Sequence, residues 1–225
     1  LLPLAACNNE TTTETPIAAV EKPTLPTGIT LVDEFKGDDS GIAIPYAKYR
    51  LANGLTVILH EDHSDPMVHV DVTYHVGSNR EEIGRSGFAH FFEHLLFEGT
   101  KNIERGEWFK LVTANGGQNN ANTTDDRTYY YEIFPSNNLE LALWMESERM
   151  LHPVIRQEDR INLQEGVVKE EKNFRLDNSP YGYLLYSVRS NLYRSHPYGR
   201  LTIGLDKDLE AANLEDFKKF KCFIS

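Results

Sequence analysis

The amino-acid sequence predicts an α+β fold. Segments rich in β-branched and aromatic residues are mixed with longer segments of helical periodicity, and no regular βαβ repeat is present. The chain has 225 residues, of which 40% are hydrophobic, so it is long enough to bury a core. These observations favour a layer of helices packed on a sheet.

Two strands are predicted early in the chain. Leu55–Asp62 is β-rich and follows an Asn-Gly turn signal. In Met67–Val76, four valines and a tyrosine alternate with polar residues, so one face of the strand should be buried and the other solvated. His69 and His75 fall on the polar face and belong to no recognisable metal-ligand motif. We therefore expect both histidines to be exposed.

Helices and one further strand are predicted downstream. One helix covers the HFFEH segment, and a second covers GEWFKLVTAN, which the Gly-Gly pair at 116–117 ends. Thr128–Phe134 has the composition of a strand. Two longer helices are predicted at Asn137–Leu151, after a capping asparagine, and at Glu158–Phe174.

Composition excludes several classes of protein. The formal net charge of −11 would repel phosphate, and no stripe of Lys and Arg interrupts it, so we expect no nucleic-acid partner. No apolar run approaches the ~20 residues that a membrane-spanning helix needs. Cys7 and Cys222 lie near opposite ends without CxxC spacing, which indicates neither a disulfide framework nor a cysteine zinc site.

The first residues have the features of an exported lipoprotein. Residues 1–7, LLPLAAC, resemble the end of a signal segment with a lipobox, in which Cys7 would be lipidated. Residues 8–42 are rich in Thr, Glu and Pro and predict a flexible low-complexity tether, followed by a domain at 43–225. These features predict a periplasmic lipoprotein of the bacterial cell envelope, anchored to the outer membrane through lipid alone.

The HFFEH segment places two histidines and a glutamate in an apolar stretch. On a helix, His90 and His94 lie ~40° and one turn apart, so both imidazoles can reach one ion. Zinc in a hydrolytic site takes three protein ligands and keeps a fourth position for water, where Glu93 would act as general base. The alternative is a pair of helical histidines bonded to backbone or solvent, but burying these groups without a metal would be costly. HxxEH, the inverzincin pattern, therefore predicts a zinc site for peptide hydrolysis.

Several further segments carry a family resemblance. The chain resembles the zinc peptidases of the pitrilysin, insulin-degrading enzyme and mitochondrial processing peptidase family, especially its bacterial members, in YHVGSNREE, GRSGFAHFFEHLLFEGT, GGQNNANTTDDRTYYYEIFP, LWMESERM, GVVKEEKNFRLDNSPYG and HPYGRLTIG. These matches extend from about residue 44 to residue 217. The resemblance implies a mixed, largely antiparallel sheet packed against helices, and a zinc endopeptidase activity.

The resemblance also implies that a glutamate of VVKEE is the third zinc ligand, with Glu170 and Glu171 as candidates. A helical wheel does not separate them, and both could belong to a solvated charge run. The family pattern favours Glu171. Gln164 stands where many relatives carry a second glutamate, and we expect its amide to orient Glu171 by a hydrogen bond.

By the same resemblance, NNANT is an edge strand beside the metal. Asn120 and Ala121 would hold an extended peptide or unfolded polypeptide by β-augmentation. Without the resemblance, a polar loop would be the preferred interpretation.

Family enzymes close two homologous halves around the substrate, so we expect a second half or a partner subunit. LEDFKKF runs directly into KCFIS, whereas relatives continue with further strands. We therefore expect an incomplete sheet at the C-terminus, and residues 1–225 alone should bind zinc but show little peptidase activity. Two other functions stay open, namely a non-catalytic partner subunit and a lipid-anchored binding module with an accidental HxxEH.

Overall fold

The computed structural model describes residues 25–37, 44–154, 158–217 and 219. Cys7, Cys222 and most of the predicted tether lie outside the described residues. The chain divides into two units between Ser64 and Asp65, which are described separately below. That boundary differs from residue 43, where the sequence predicts the start of the domain.

The first unit contains a three-stranded antiparallel sheet in the order β1-β2-β3. Its strands are β1 (Ile29–Phe35), β2 (Tyr46–Leu51) and β3 (Thr56–Leu59). The prediction of a flexible tether is wrong for β1, which pairs with β2 along its length. Five central residues of β1 are exposed. A strand therefore forms here although the predicted tether has few bulky apolar groups to bury.

The second unit contains another three-stranded antiparallel sheet, in the order β4-β6-β5. Its strands are β4 (Met67–Tyr74), β5 (Gln118–Thr123) and β6 (Thr128–Pro135). Half-buried and exposed residues alternate along β4, as predicted, and His69 and His75 are exposed. Within this sheet β5 is an edge strand.

The described helices of the second unit are α1 (Phe88–Leu95), α2 (Glu107–Ala114), α3 (Leu139–Leu151), α4 (Glu158–Lys172), α5 (Leu184–Leu192) and α6 (Asp206–Glu210). The first four occur at the predicted places, whereas α5 and α6 were not predicted. A π-helical turn, Asn173–Asp177, continues α4. The α+β prediction with antiparallel strand pairs is therefore confirmed. No helix among the described residues combines the length and apolarity that crossing a membrane requires.

One predicted helix start is wrong in detail. A 3-10 turn at Ser136–Asn138 precedes α3, and neither asparagine caps the helix with its side chain. Asn138 instead donates a hydrogen bond to the carbonyl of Asn115, which ties the start of α3 to the end of α2. Tertiary contact therefore replaces the expected local cap.

Helix α1 is the centre of the main core. Seven of its eight residues are buried, because α1 packs against α4, β5 and β6. The cluster around it consists of Val76, Phe88, Ala89, Phe91, Phe92, Leu95, Leu96, Tyr130, Ile161, Val168, Leu209 and Phe217. Burial of each large apolar side chain contributes about 1.5–3 kcal/mol relative to exposure, so the position of α1 is strongly determined.

Candidate metal centre

Two buried carboxylates, those of Glu81 and Asp208, hold the N-terminus of α1. Gly87 precedes the helix with φ +87°, and a Cβ atom there would lie 2.6 Å from Cα of Gly204, so only glycine fits this turn. The Glu81 carboxylate accepts hydrogen bonds from the amides of Gly87 (3.1 Å) and Ala89 (2.9 Å). Burial raises the pKa of Glu81 to about 8, although the two amide donors oppose this rise.

A second carboxylate holds the residue before this glycine. Asp208 Oδ2 accepts hydrogen bonds from the Ser86 amide (3.1 Å) and from the Ser86 hydroxyl (2.5 Å). The Ser86 hydroxyl in turn accepts one from the Leu205 amide (3.0 Å). Sequence reasoning identified neither carboxylate: Asp208 meets Ser86 across 122 residues, and no motif indicates that the nearby Glu81 turns back to the start of α1. Together they fix where α1 begins and how its side chains are directed.

His90, His94 and Glu171 converge on one point. His94 Nε2 lies 3.1 Å and His90 Nε2 lies 3.5 Å from Glu171 Oε2. The two imidazole rings are one turn apart on α1, with centroids 4.8 Å apart. Glu171 comes from α4, which packs beside α1. One ligand atom from each of the three residues lies within 4.8 Å of the others.

This arrangement fits a zinc ion. Ligand atoms ~2.1 Å from a tetrahedral zinc ion are ~3.4 Å apart, close to both separations from Glu171. Burial, and then the charge of His94, lower the pKa of His90 to about 4, so its imidazole is neutral and has a lone pair for a metal. The buried His90 Nδ1 has no hydrogen-bond partner within the described residues. The hydrogen bond with His94 lowers the pKa of Glu171, which favours the carboxylate form.

The structure separates the two candidate glutamates. Glu171 faces the histidines, whereas Glu170 is exposed. The assignment of His90, His94 and Glu171 as metal ligands stays a prediction, because the proximity of three side chains does not itself test whether they bind an ion. Gln164 does not contact Glu171 as expected. Its amide donates instead to Glu98 Oε1 at 2.6 Å, because Gln164 lies almost two turns before Glu171 on α4.

Glu93 lies on α1 beside this group but has a different partner. Its Oε2 accepts a hydrogen bond from the Thr123 hydroxyl at 2.5 Å. Burial raises the pKa of Glu93, and the bond from Thr123 opposes that rise. Sequence reasoning missed Thr123. Because side chains alternate along a strand, Thr123 shares a face with Ala121, which was predicted to lie beside the metal. Glu93 is thus placed next to the candidate ligands and is held by the edge strand.

The predicted edge strand is present as β5. The Ala121 amide donates to Oδ1 of Asn120 at 2.8 Å. The acceptor of this amide is therefore a side chain and not the carbonyl of a neighbouring strand. Asn120 is exposed and Ala121 is half-buried. The alternative interpretation of this segment as a polar loop is therefore wrong, while the role of both residues in substrate binding stays a prediction.

A cavity of about 780 Å³ connects these features. The three candidate ligands, Glu93 and β5 line it, together with Phe97, Phe109, Arg105 and Arg175. Such a volume suits a ligand site that accepts several groups of a peptide at once. One cavity therefore contains the candidate ligands for a cation, the Glu93 carboxylate with its raised pKa, and the open edge of β5.

Comparison with known proteins identifies the family of the chain. The model of the insulinase family (peptidase family M16) matches residues 56–205. Over 171 residues the chain is 39% identical to the zinc protease PqqE of Helicobacter pylori. That alignment covers 76% of this chain but 38% of PqqE, so the chain spans about two fifths of this relative's length.

Solved structures show the same fold. The crystal structure of a protease from Helicobacter pylori has a TM-score of 0.76 at 37% identity and covers 79% of this chain and 43% of that chain. Pitrilysin has a TM-score of 0.74 at 22% identity, with 87% of this chain and 21% of that chain covered, and supports the fold alone. The resemblance found in the sequence is confirmed: the chain belongs to the insulinase family of peptidases, family M16.

Proposed function

We propose that this chain carries the metal centre of a zinc-dependent endopeptidase. His90, His94 and Glu171 would hold the ion, and Glu93 would be the general base. The observation that carries this proposal is the convergence of two imidazole nitrogens on one carboxylate oxygen, at separations that suit tetrahedral zinc.

The roles of the protein groups follow from their contacts. When bound, zinc would lower the pKa of a coordinated water to ~7 and polarise a peptide carbonyl. Glu93 would take the proton of that water and pass it to the leaving amine. Burial raises the pKa of Glu93 towards the range in which a carboxylate can do both. The Thr123 hydroxyl holds one of its oxygens, which limits the directions from which the other can accept a proton.

The substrate would be an extended peptide or an unfolded polypeptide. Such a chain can pair with the open edge of β5, where Asn120 Oδ1 would give up the Ala121 amide to a peptide carbonyl. Main-chain pairing tolerates many side chains. Selectivity would therefore depend on the groups that line the rest of the cavity.

Two further proposals concern the whole protein. The chain spans 38% of PqqE and 43% of the Helicobacter pylori protease structure. A homologous second half or a partner subunit would face the metal centre and complete the substrate chamber. Lipidation at Cys7 would place the enzyme in the bacterial cell envelope, as a periplasmic lipoprotein at the outer membrane.

The metal proposal is tested by zinc content and turnover in the full-length protein. Wild type should purify with one zinc per chain, and His90→Ala should lose it. Glu93→Gln should keep zinc and lose peptide cleavage, because the amide removes a base and not a ligand. Wild-type protein without stoichiometric zinc would instead indicate a non-catalytic partner subunit or a binding module.

The envelope proposal is tested by metabolic labelling with a fatty acid. Expressed with its complete leader in a Gram-negative host, wild type should be labelled and Cys7→Ser should not. Equal labelling of both proteins would contradict the lipid anchor without affecting the metal proposal.

A further inference from the structure

The two carboxylate oxygens of Glu171 have different partners. Oε2 faces Nε2 of His94 at 3.1 Å and Nε2 of His90 at 3.5 Å. Oε1 lies 2.9 Å from Nη2 of Arg175. The Glu171 side chain is 18% exposed, and that of Arg175 is 67% exposed. One oxygen is thus directed to the candidate metal centre, while an arginine from the solvent side of the cavity holds the other.

The local geometry of the helix makes this contact possible. Residues four apart lie on the same side of a helix, and Arg175 follows Glu171 by four. Arg175 lies in the π-helical turn Asn173–Asp177, a type of segment frequent at functional sites. An ion pair with so exposed a partner contributes at most ~1 kcal/mol to stability. Its main effect is therefore on the orientation of the carboxylate.

We propose that Arg175 is a positioning residue that limits Glu171 to coordination through Oε2 alone. The inference rests on the proposed zinc site. A carboxylate can bind a cation through one oxygen or through both. The charge-assisted bond from Arg175 occupies Oε1 and opposes the rotation that would bring this oxygen to the ion. With three protein atoms bound, the fourth position is kept for water beside Glu93.

Cobalt in place of zinc gives a direct test, since four-coordinate Co²⁺ absorbs visible light more strongly than five-coordinate Co²⁺. The full chain is loaded with Co²⁺ as wild type, Arg175→Ala and Arg175→Lys. We expect a four-coordinate spectrum for wild type and a weaker, five-coordinate spectrum for Arg175→Ala. Arg175→Lys should restore the intensity, because an ammonium group at this position can also bond Oε1 of Glu171.

Arg105→Ala is the matched control. Arg105 is 51% exposed, lines the same cavity and pairs with Glu98 Oε2 at 2.7 Å, so its loss removes a similar charge but no contact with Glu171. Its spectrum should equal that of wild type. Identical spectra for wild type and Arg175→Ala, or equal changes in both alanine variants, would overturn the inference. Failure of wild type to bind one Co²⁺ would contradict the metal site itself.

Discussion

Thr123 donates a hydrogen bond to Glu93 across 2.5 Å, and so the last residue of an edge strand holds the carboxylate of the HxxEH motif. Ala121, two residues earlier on the same face, packs against the core cluster around α1. Strand β5 is therefore fixed to α1 at two neighbouring points. A peptide paired with β5 and the proposed base beneath it would be positioned by one element.

Replacement of Thr123 by Val should reduce turnover and leave zinc content unchanged. The hydrogen bond to the Glu93 carboxylate lowers the pKa of this group, so its loss should move the acidic limb of the pH–rate profile to higher pH. A hydrogen bond to a charged group is worth about 1.5–3 kcal/mol, and we expect kcat to fall about 10- to 100-fold. The measurement is kcat as a function of pH in the full-length protein.

The conservative change and a neighbouring threonine provide controls for this experiment. Thr123→Ser keeps the hydroxyl and should retain the wild-type pH profile. Thr124→Val removes a hydroxyl that donates to the carbonyl of Arg127 and accepts from the amide of Arg127, and it should behave as wild type because these bonds lie within the turn. An unshifted acidic limb in Thr123→Val would show that the bond does not tune Glu93.

Replacement of Glu171 by Ala should weaken zinc binding, whereas Glu170→Ala should not. Loss of a group that only orients a ligand typically costs 10- to 100-fold in metal affinity, so loss of a ligand should cost at least that much. Glu170 is exposed and adjacent, which makes it a matched control. Competition with a fluorescent chelator measures both affinities. The reverse result would show that Glu170 is the ligand.

Local spacing was sufficient to predict part of the site. His90, Glu93 and His94 are within five residues of each other, and the geometry of one helix determines that the histidines share a face. The choice of Glu171 could not come from spacing, because both glutamates of VVKEE have apolar neighbours on a helical wheel. It needed the family pattern.

Two of the contacts that were missed are between distant segments. Thr123 and Glu93 are 30 residues apart, and Gln164 and Glu98 are 66 apart. No local periodicity encodes which polar groups meet when strand and helix pack. Strand β1 was missed for a different reason: its pairing with β2 satisfies the backbone while most of its side chains stay in solvent, so hydrophobic patterning carried little signal.

Replacement of Glu81 by Ala should destabilise the fold. The change leaves the buried amides of Gly87 and Ala89 without their acceptor at the start of α1. Loss of a helix cap together with unpaired buried donors should cost about 2–4 kcal/mol. Urea unfolding measures this cost. Glu82→Ala, at an exposed neighbour, should stay within about 0.5 kcal/mol of wild type, and an equal effect of the two changes would contradict the capping role.

Arg149 lies in the core with two carboxylates around it. Its guanidinium contacts Glu146 at 3.1 Å and Glu132 at 3.2 Å, and both acids are buried. Three rings surround the same guanidinium, with centroids 4.1–4.5 Å from it, namely Phe97, Trp108 and Tyr130. One cation cannot neutralise two carboxylates. Burial, and then the charge of Glu146, therefore raise the pKa of Glu132 to about 9.

This raised pKa predicts a dependence of stability on pH. Between its ordinary value of 4.5 and about 9, Glu132 binds a proton in the folded state that the unfolded chain has released. Its contribution to stability is complete below the ordinary value and is lost as pH rises to about 9, by up to ~1.4 kcal/mol per pH unit.

Glu132→Gln imitates the protonated form. The difference in free energy of unfolding between Glu132→Gln and wild type should therefore shift steadily in favour of the variant as pH rises across this range. Urea unfolding at several pH values measures it. Glu140→Gln, at an exposed position of α3, should follow the wild-type curve. Parallel curves for Glu132→Gln and wild type would show that Glu132 is ionised in the core at neutral pH.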